Sequence, residues 1–82
     1  MSSTQPSEWS DHEIDLLRRL GVNVRQRRVE LEFSQQALAN AADLHRTFVT
    51  RLEKGTVNVS LINLARVARA LQCTVIDLLR GL

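Results

Sequence analysis

An 82-residue chain, 44% hydrophobic and 24% charged, has room for one small domain and a thin core, burying only about 60% of its unfolded surface. One cysteine, Cys73, and two distant histidines, His12 and His45, exclude an internal disulfide and a Cys/His cluster of zinc-ligand spacing. The net charge of +2 conceals an asymmetry: residues 1–17 hold Glu8, Asp11, Glu13 and Asp15 without a Lys or Arg, and residues 18–82 hold all eleven basic residues against five acids, an excess suited to a polyanionic partner.

The opening MSSTQPSEWSD has neither a basic start nor an apolar run, so no signal peptide is read there. No stretch approaches the roughly 18 apolar residues that span a membrane. A cytoplasmic protein without membrane contact is therefore expected. A small domain without covalent staples often gains stability by self-association, which makes a homodimer the default.

Residues 1–9 read as a flexible polar tail, apart from Trp9, ahead of a helical domain over 10–82. Five helix starts follow, each with a cap between two apolar residues, the hydrophobic staple. Ser10 stands between Trp9 and Ile14, with Glu13 completing a capping box. Ser34 stands between Phe33 and Leu38, and His45, a poor cap by type, between Leu44 and Val49. Ser60 lies between Val59 and Leu64, and Thr74 between Cys73 and Leu78, with Asp77 in the capping-box place. Leu17, Leu20, Val24 and Leu31 keep helical spacing, as do Leu61, Leu64, Ala68 and Leu71. These signals predict helices over 11–31, 35–41, 46–54, 61–71 and 75–80. No sustained alternation or Asn-Gly hairpin suggests a strand. The fold class is all-α.

The segment SQQALANAADLHRTFVTRLEKG, residues 34–55, carries the functional signal. Two short amphipathic helices are separated only by Ala42, Asp43 and Leu44, and so tight a turn forces a steep crossing, the geometry of a helix-turn-helix. Small Ala39 suits the close approach, and Leu38, Leu44, Val49 and Leu52 are spaced to meet beneath it. The remaining face of the second helix reads His45, Arg46, Thr47, Thr50, Arg51 and Lys54: long donors and small hydroxyls, with no acid.

This segment resembles the helix-turn-helix of the lambda-repressor/Cro superfamily, the XRE-like regulators, and the similarity covers about residues 20–80. Within that group, LHRTFVTRLEKGTVNVSLINLARVARAL is similar to the controller proteins of restriction–modification systems, with their Leu-x-Arg-Thr-aromatic segment. The resemblance implies a compact five-helix lambda-repressor-like domain with the motif at helices two and three. It also implies an Arg28–Glu53 pair joining helix one to the recognition helix, with Arg28 able to reach a phosphate as well. Two departures stand out. Asp43 occupies the place of the family's turn glycine, a left-handed position that Asp tolerates better than most residues. Val57 stands where controller-like proteins often carry another Arg. The acidic leader over 1–13 has no counterpart in the family.

Base reading is assigned to Arg46, bidentate to guanine, with Thr47, Thr50 and Arg51. Ser34 and Gln35 at the start of the second helix, and Asn58 and Ser60 at the start of the fourth, are expected to hold phosphates, with His45 a further candidate. Val75, Ile76, Leu79 and Leu82 exceed what one small core can absorb and form the expected dimer surface. The expected function is a transcriptional regulator binding a pseudo-palindromic duplex operator as a homodimer, controlling a linked gene, with RNA polymerase as a further partner. No paired carboxylates, activated nucleophile or glycine-rich phosphate loop suggests an enzyme, and no metal, cofactor or small-molecule ligand is expected. The other class considered is an antitoxin-type or protein-interaction module with secondary DNA binding. Such a protein usually adds a long partner-wrapping tail, whereas this chain ends at Leu82, straight after helix five.

Overall fold

The computed structural model describes residues 8–82, so the expected tail lies outside the described residues over 1–7. The elements are α1 (Asp11–Glu30), α2 (Gln35–Ala42), α3 (Arg46–Lys54), α4 (Leu61–Ala70) and α5 (Val75–Leu78). There is no strand among the described residues. Every helix begins at its expected cap: Ser10, Ser34, His45, Ser60 and Thr74 each accept a hydrogen bond from a backbone N–H of the first turn. The boxes at Ser10–Glu13 and Thr74–Asp77 close in both directions.

The helix ends are where the sequence pattern errs by a residue or two. α1 and α4 stop one residue earlier than expected, α2 runs one further, and α5 stops two short. The four longer helices all stop in the same way. Glu32, Asp43, Gly55 and Gln72 take left-handed φ values of 59°, 57°, 73° and 58°. In each case the following N–H reaches back five residues: Phe33 to Arg28, Leu44 to Ala39, Thr56 to Arg51 and Cys73 to Ala68, at 2.9–3.0 Å. Gly55 and Asp43 were legible as left-handed positions from the sequence, whereas Glu32 and Gln72 were not.

The core gathers Leu20 and Val24 of α1, Leu38 and Ala39 of α2, and Val49 and Leu52 of α3. It is completed by Leu64 and Val67 of α4, Leu71 just after it, and Leu78 of α5. Leu61 departs from expectation: it is 70% exposed. At about 100° per residue it stands roughly 70° off the middle of the buried stripe formed by Leu64, Val67, Ala68 and Leu71. α1 packs against α3 and α5, α2 against α3 and α4, and α4 against α5. No described helix is long and apolar enough to cross a membrane.

Helix α1 organises the molecule through three sides. One side carries Arg18, Gly21 and Arg28 toward α3, the next carries Leu20 and Val24 into the core, and the third carries Arg19, Asn23 and Arg27 toward the C-terminal segment. A Cβ on Gly21 would lie 2.5 Å from the Glu53 carbonyl oxygen and 2.6 Å from that of Leu52. Only glycine lets the two backbones approach so closely. A Cβ on Gly55 would meet the Arg18 backbone at 2.7 Å, so the end of α3 is held against α1 at two points.

Candidate nucleic-acid interface

The turn between α2 and α3 comprises Asp43, Leu44 and His45, because Ala42 still belongs to α2. Asp43 adopts the left-handed conformation expected of it, φ 57° and ψ 46°. Fully buried Ala39 permits the close crossing, and half-buried Leu44 packs with Leu38, Val49 and Leu52 beneath it.

That packing fixes which side of α3 faces out. Val49 and Leu52 are buried and Phe48 half-buried, while Arg46, Thr47, Arg51 and Lys54 are exposed. At about 100° per residue, Thr47 and Lys54 lie along the middle of the open face, with Arg46 and Arg51 to either side. Lys54 was read as part of this face but given no role in the sequence-based assignment. Its central place follows only once the buried side is known. The helix has one acid, Glu53, and it points away from the open face into an internal pair.

Arg28 donates from Nε to Glu53 Oε2 at 2.6 Å and from Nη2 to Glu53 Oε1 at 3.0 Å. The same guanidinium donates from Nη1 to the Phe33 carbonyl at 2.7 Å. The hydrogen bond to Glu53 holds the Arg28 guanidinium above its ordinary pKa, against the opposing effect of burial. Three of its five N–H donors, one from each nitrogen, are engaged internally, so Arg28 is an anchor between α1 and α3.

Two further assigned residues have internal partners. The Gln35 side chain donates from Nε2 to Glu53 Oε1 at 3.1 Å, and its Oε1 accepts from Thr50 Oγ1 at 2.9 Å. Half-buried Thr50 also lies 3.2 Å from the Arg46 carbonyl. Both side chains therefore lock α2 to α3. On the helix Thr50 lies between Arg46 and Lys54 with its hydroxyl bonded inward to Gln35, and Gln35 also presents its backbone N–H at the start of α2. His45 accepts from the Thr47 N–H through Nδ1 at 3.2 Å, so that in the neutral ring the proton lies on Nε2. Ser34 and Ser60 accept from the N–H groups of Ala37 and Asn63, and exposed Asn58 lies just ahead of α4.

On the C-terminal side, Ile76 is 75% exposed, Leu79 41% and Leu82 39%. Val75 differs from its three expected partners, being half-buried against the core. Burial pushes the Cys73 thiol up from its ordinary value. No group of three or more potential metal ligands occurs among the described residues.

A family model described as helix-turn-helix matches residues 24–78. The control protein C.BamHI of Bacillus amyloliquefaciens is 45% identical over 60 residues, 72% of this chain and 74% of that protein. The crystal structure of the restriction–modification controller protein C.AhdI from Aeromonas hydrophila matches with a TM-score of 0.75 and 35% identity, over 76% of this chain and 94% of that one. A hypothetical transcription factor from Neisseria, NHTF, gives a TM-score of 0.76 at 37% identity, over 95% and 88% of the two chains.

Proposed function

Because this chain belongs to the helix-turn-helix family, with the restriction–modification control proteins among its relatives, we propose that it is a sequence-specific regulator of transcription. It binds duplex DNA as a homodimer on a pseudo-palindromic operator and controls a linked gene. The observation that carries this reading is the open face of α3. Arg46, Thr47, Arg51 and Lys54 are presented together, and the helix's only acid is drawn inside and paired with Arg28.

In this reading α3 enters the major groove. Arg46, in its first turn, reads guanine through two parallel hydrogen bonds, and Thr47 and Arg51 contact neighbouring bases. Lys54, at the far end of the face, neutralises a phosphate. Ser34 and the Gln35 N–H at the start of α2, His45 Nε2, Asn58 and Ser60 hold the backbone on either side. Ile76, Leu79 and Leu82 of two copies meet across the two-fold axis. The protein works without a cofactor or catalytic chemistry, in the cytoplasm, where occupancy of the operator alters access of RNA polymerase. Selection of bound duplexes from a random pool tests the proposal. Enrichment of a site with two related half-sites, centred about one helical turn or a multiple of it apart, is expected. Recovery of unrelated sequences with no shared site would overturn it.

A further inference from the structure

Three side chains of α1 at intervals of one turn, Arg19, Asn23 and Arg27, all donate to backbone carbonyls of the C-terminal part of the chain. Arg27 donates from Nε to Leu71 O at 2.9 Å and from Nη2 to Gln72 O at 3.2 Å, closing the end of α4. Asn23 uses both protons of one amide, reaching Leu78 O and Arg80 O at 2.9 Å each. Arg19 makes a longer contact from Nη1 to Gly81 O at 3.4 Å. These carbonyls follow helix ends and have no partner further along a helix.

α5 needs such support. It has four residues, far too few to persist on helical propensity alone. Buried Leu78, half-buried Val75, the Thr74–Asp77 capping box and the α1 clasp hold it in place. Its outer side carries exposed Ile76 and Leu79, followed by Leu82. The charges there, Asp77 and Arg80, pair with each other at 2.9 Å, which leaves the patch without net charge. A neutral apolar patch suits a two-fold contact, in which each group approaches the same region of its own copy and unpaired like charges would repel.

We infer that Asn23 is a positioning residue for self-association, setting the attitude of α5 and hence the placement of the two α3 helices on DNA. The inference rests on the reading that α5 and its neighbours form the dimer surface. The connection is mechanical: the same helix that clamps α5 through Asn23 clamps α3 through Gly21 and Arg28. One rigid strut thus separates the contact surface from the reading surface.

The test compares the duplex enriched by selection with the same duplex carrying one scrambled half-site. Asn23→Ala should lose at least tenfold in affinity for the intact duplex and keep its affinity for the single half-site. Hydrogen exchange should accelerate over residues 74–82 and stay unchanged in α2 and α3. An Asn23→Ala protein that binds the intact duplex as the wild type does, while Ile76→Glu with Leu79→Glu weakens it, would overturn the inference and leave the dimer reading standing. Full affinity of that double variant would instead overturn the dimer reading. Equal losses of Asn23→Ala on both duplexes would mean general destabilisation and would also defeat the inference. If Asn23→Ala does not fold, Asn23→Gln, which displaces the amide by one methylene, carries the same comparison with the same outcomes.

Discussion

Arg28 and Glu53 face each other with 12% and 4% of their side chains exposed, so neither charge is well solvated if its partner is lost. Removing one side of such a pair typically costs about 3–5 kcal/mol, whereas replacing both by apolar residues can be nearly neutral. A small domain is stable by only about 5 kcal/mol or slightly more, so Glu53→Ala alone should unfold a large part of the population at ambient temperature. Arg28→Met combined with Glu53→Leu should recover much of that loss. The recovery stays incomplete, because the Phe33 carbonyl and the Gln35 amide lose partners as well. Thermal unfolding of the singles and the double checks this, and additive losses below about 1 kcal/mol each would mean an exposed pair. At this scale the sequence was legible where a residue acts through its own backbone neighbourhood, as the five caps do. The hydrogen bonds that Thr50 and Gln35 make with each other and with Glu53 were not legible, because they depend on how α3 is rotated against α2. Both are polar residues at helix positions compatible with a DNA-facing side, and only the packed helices show that their side chains also bond internally.

Gly21 shows how an element's position can rest on a missing side chain. Within an isolated helix, replacing glycine by alanine stabilises by up to about 1 kcal/mol. Here the added methyl group would meet the carbonyl oxygens of Leu52 and Glu53 at 2.5–2.6 Å, and backbone cannot step aside as a flexible side chain would. Gly21→Ala should therefore reverse sign, costing about 1–3 kcal/mol and shifting α3 against α1. Denaturant unfolding, with chemical shifts of the α3 amides, would show both effects. The sequence offers only a glycine amid helical periodicity, with no hint of which helix passes over it.

α5 should respond to acid. The Asp77 carboxylate accepts from the Thr74 backbone N–H, and this bond, with the Thr74 side chain beside it, holds it below its ordinary value of 3.8. A folded-state value below the unfolded one gives stabilisation that is complete above the unfolded value and is lost as pH falls through the folded value. Acidification below about pH 4 should therefore open the capping box and loosen α5 first. Amide exchange over residues 74–79 followed from pH 6 to pH 3 checks this. Asp77→Asn should weaken the pH dependence there and leave α2 and α3 unaffected. The start of α5 was legible from Thr74 and Asp77, but its end was not. Support for that end comes from Asn23, 55 residues earlier than the Leu78 carbonyl it binds.

For the whole molecule, fold class, helix order and the place of the helix-turn-helix followed from cap spacing and the short turn. The three-sided use of α1 did not, since it exists only when α3, the core and the C-terminal segment are assembled around one helix. The assembled surface leaves Arg46, Arg51 and Lys54 exposed on one side of α3. Binding through such cations releases counterions from DNA, so affinity should fall steeply between about 50 and 200 mM salt.

Sequence reading by that face is the central claim, and one titration tests it most directly. Wild type and Arg46→Ala are each titrated at fixed salt against the selected operator and against a scrambled duplex of equal length. The wild type should prefer the operator by about 10³-fold or more. Arg46→Ala should lose about 1–3 kcal/mol on the operator while binding the scrambled duplex nearly unchanged. Equal losses on both duplexes, or a wild type indifferent between them, would contradict the account.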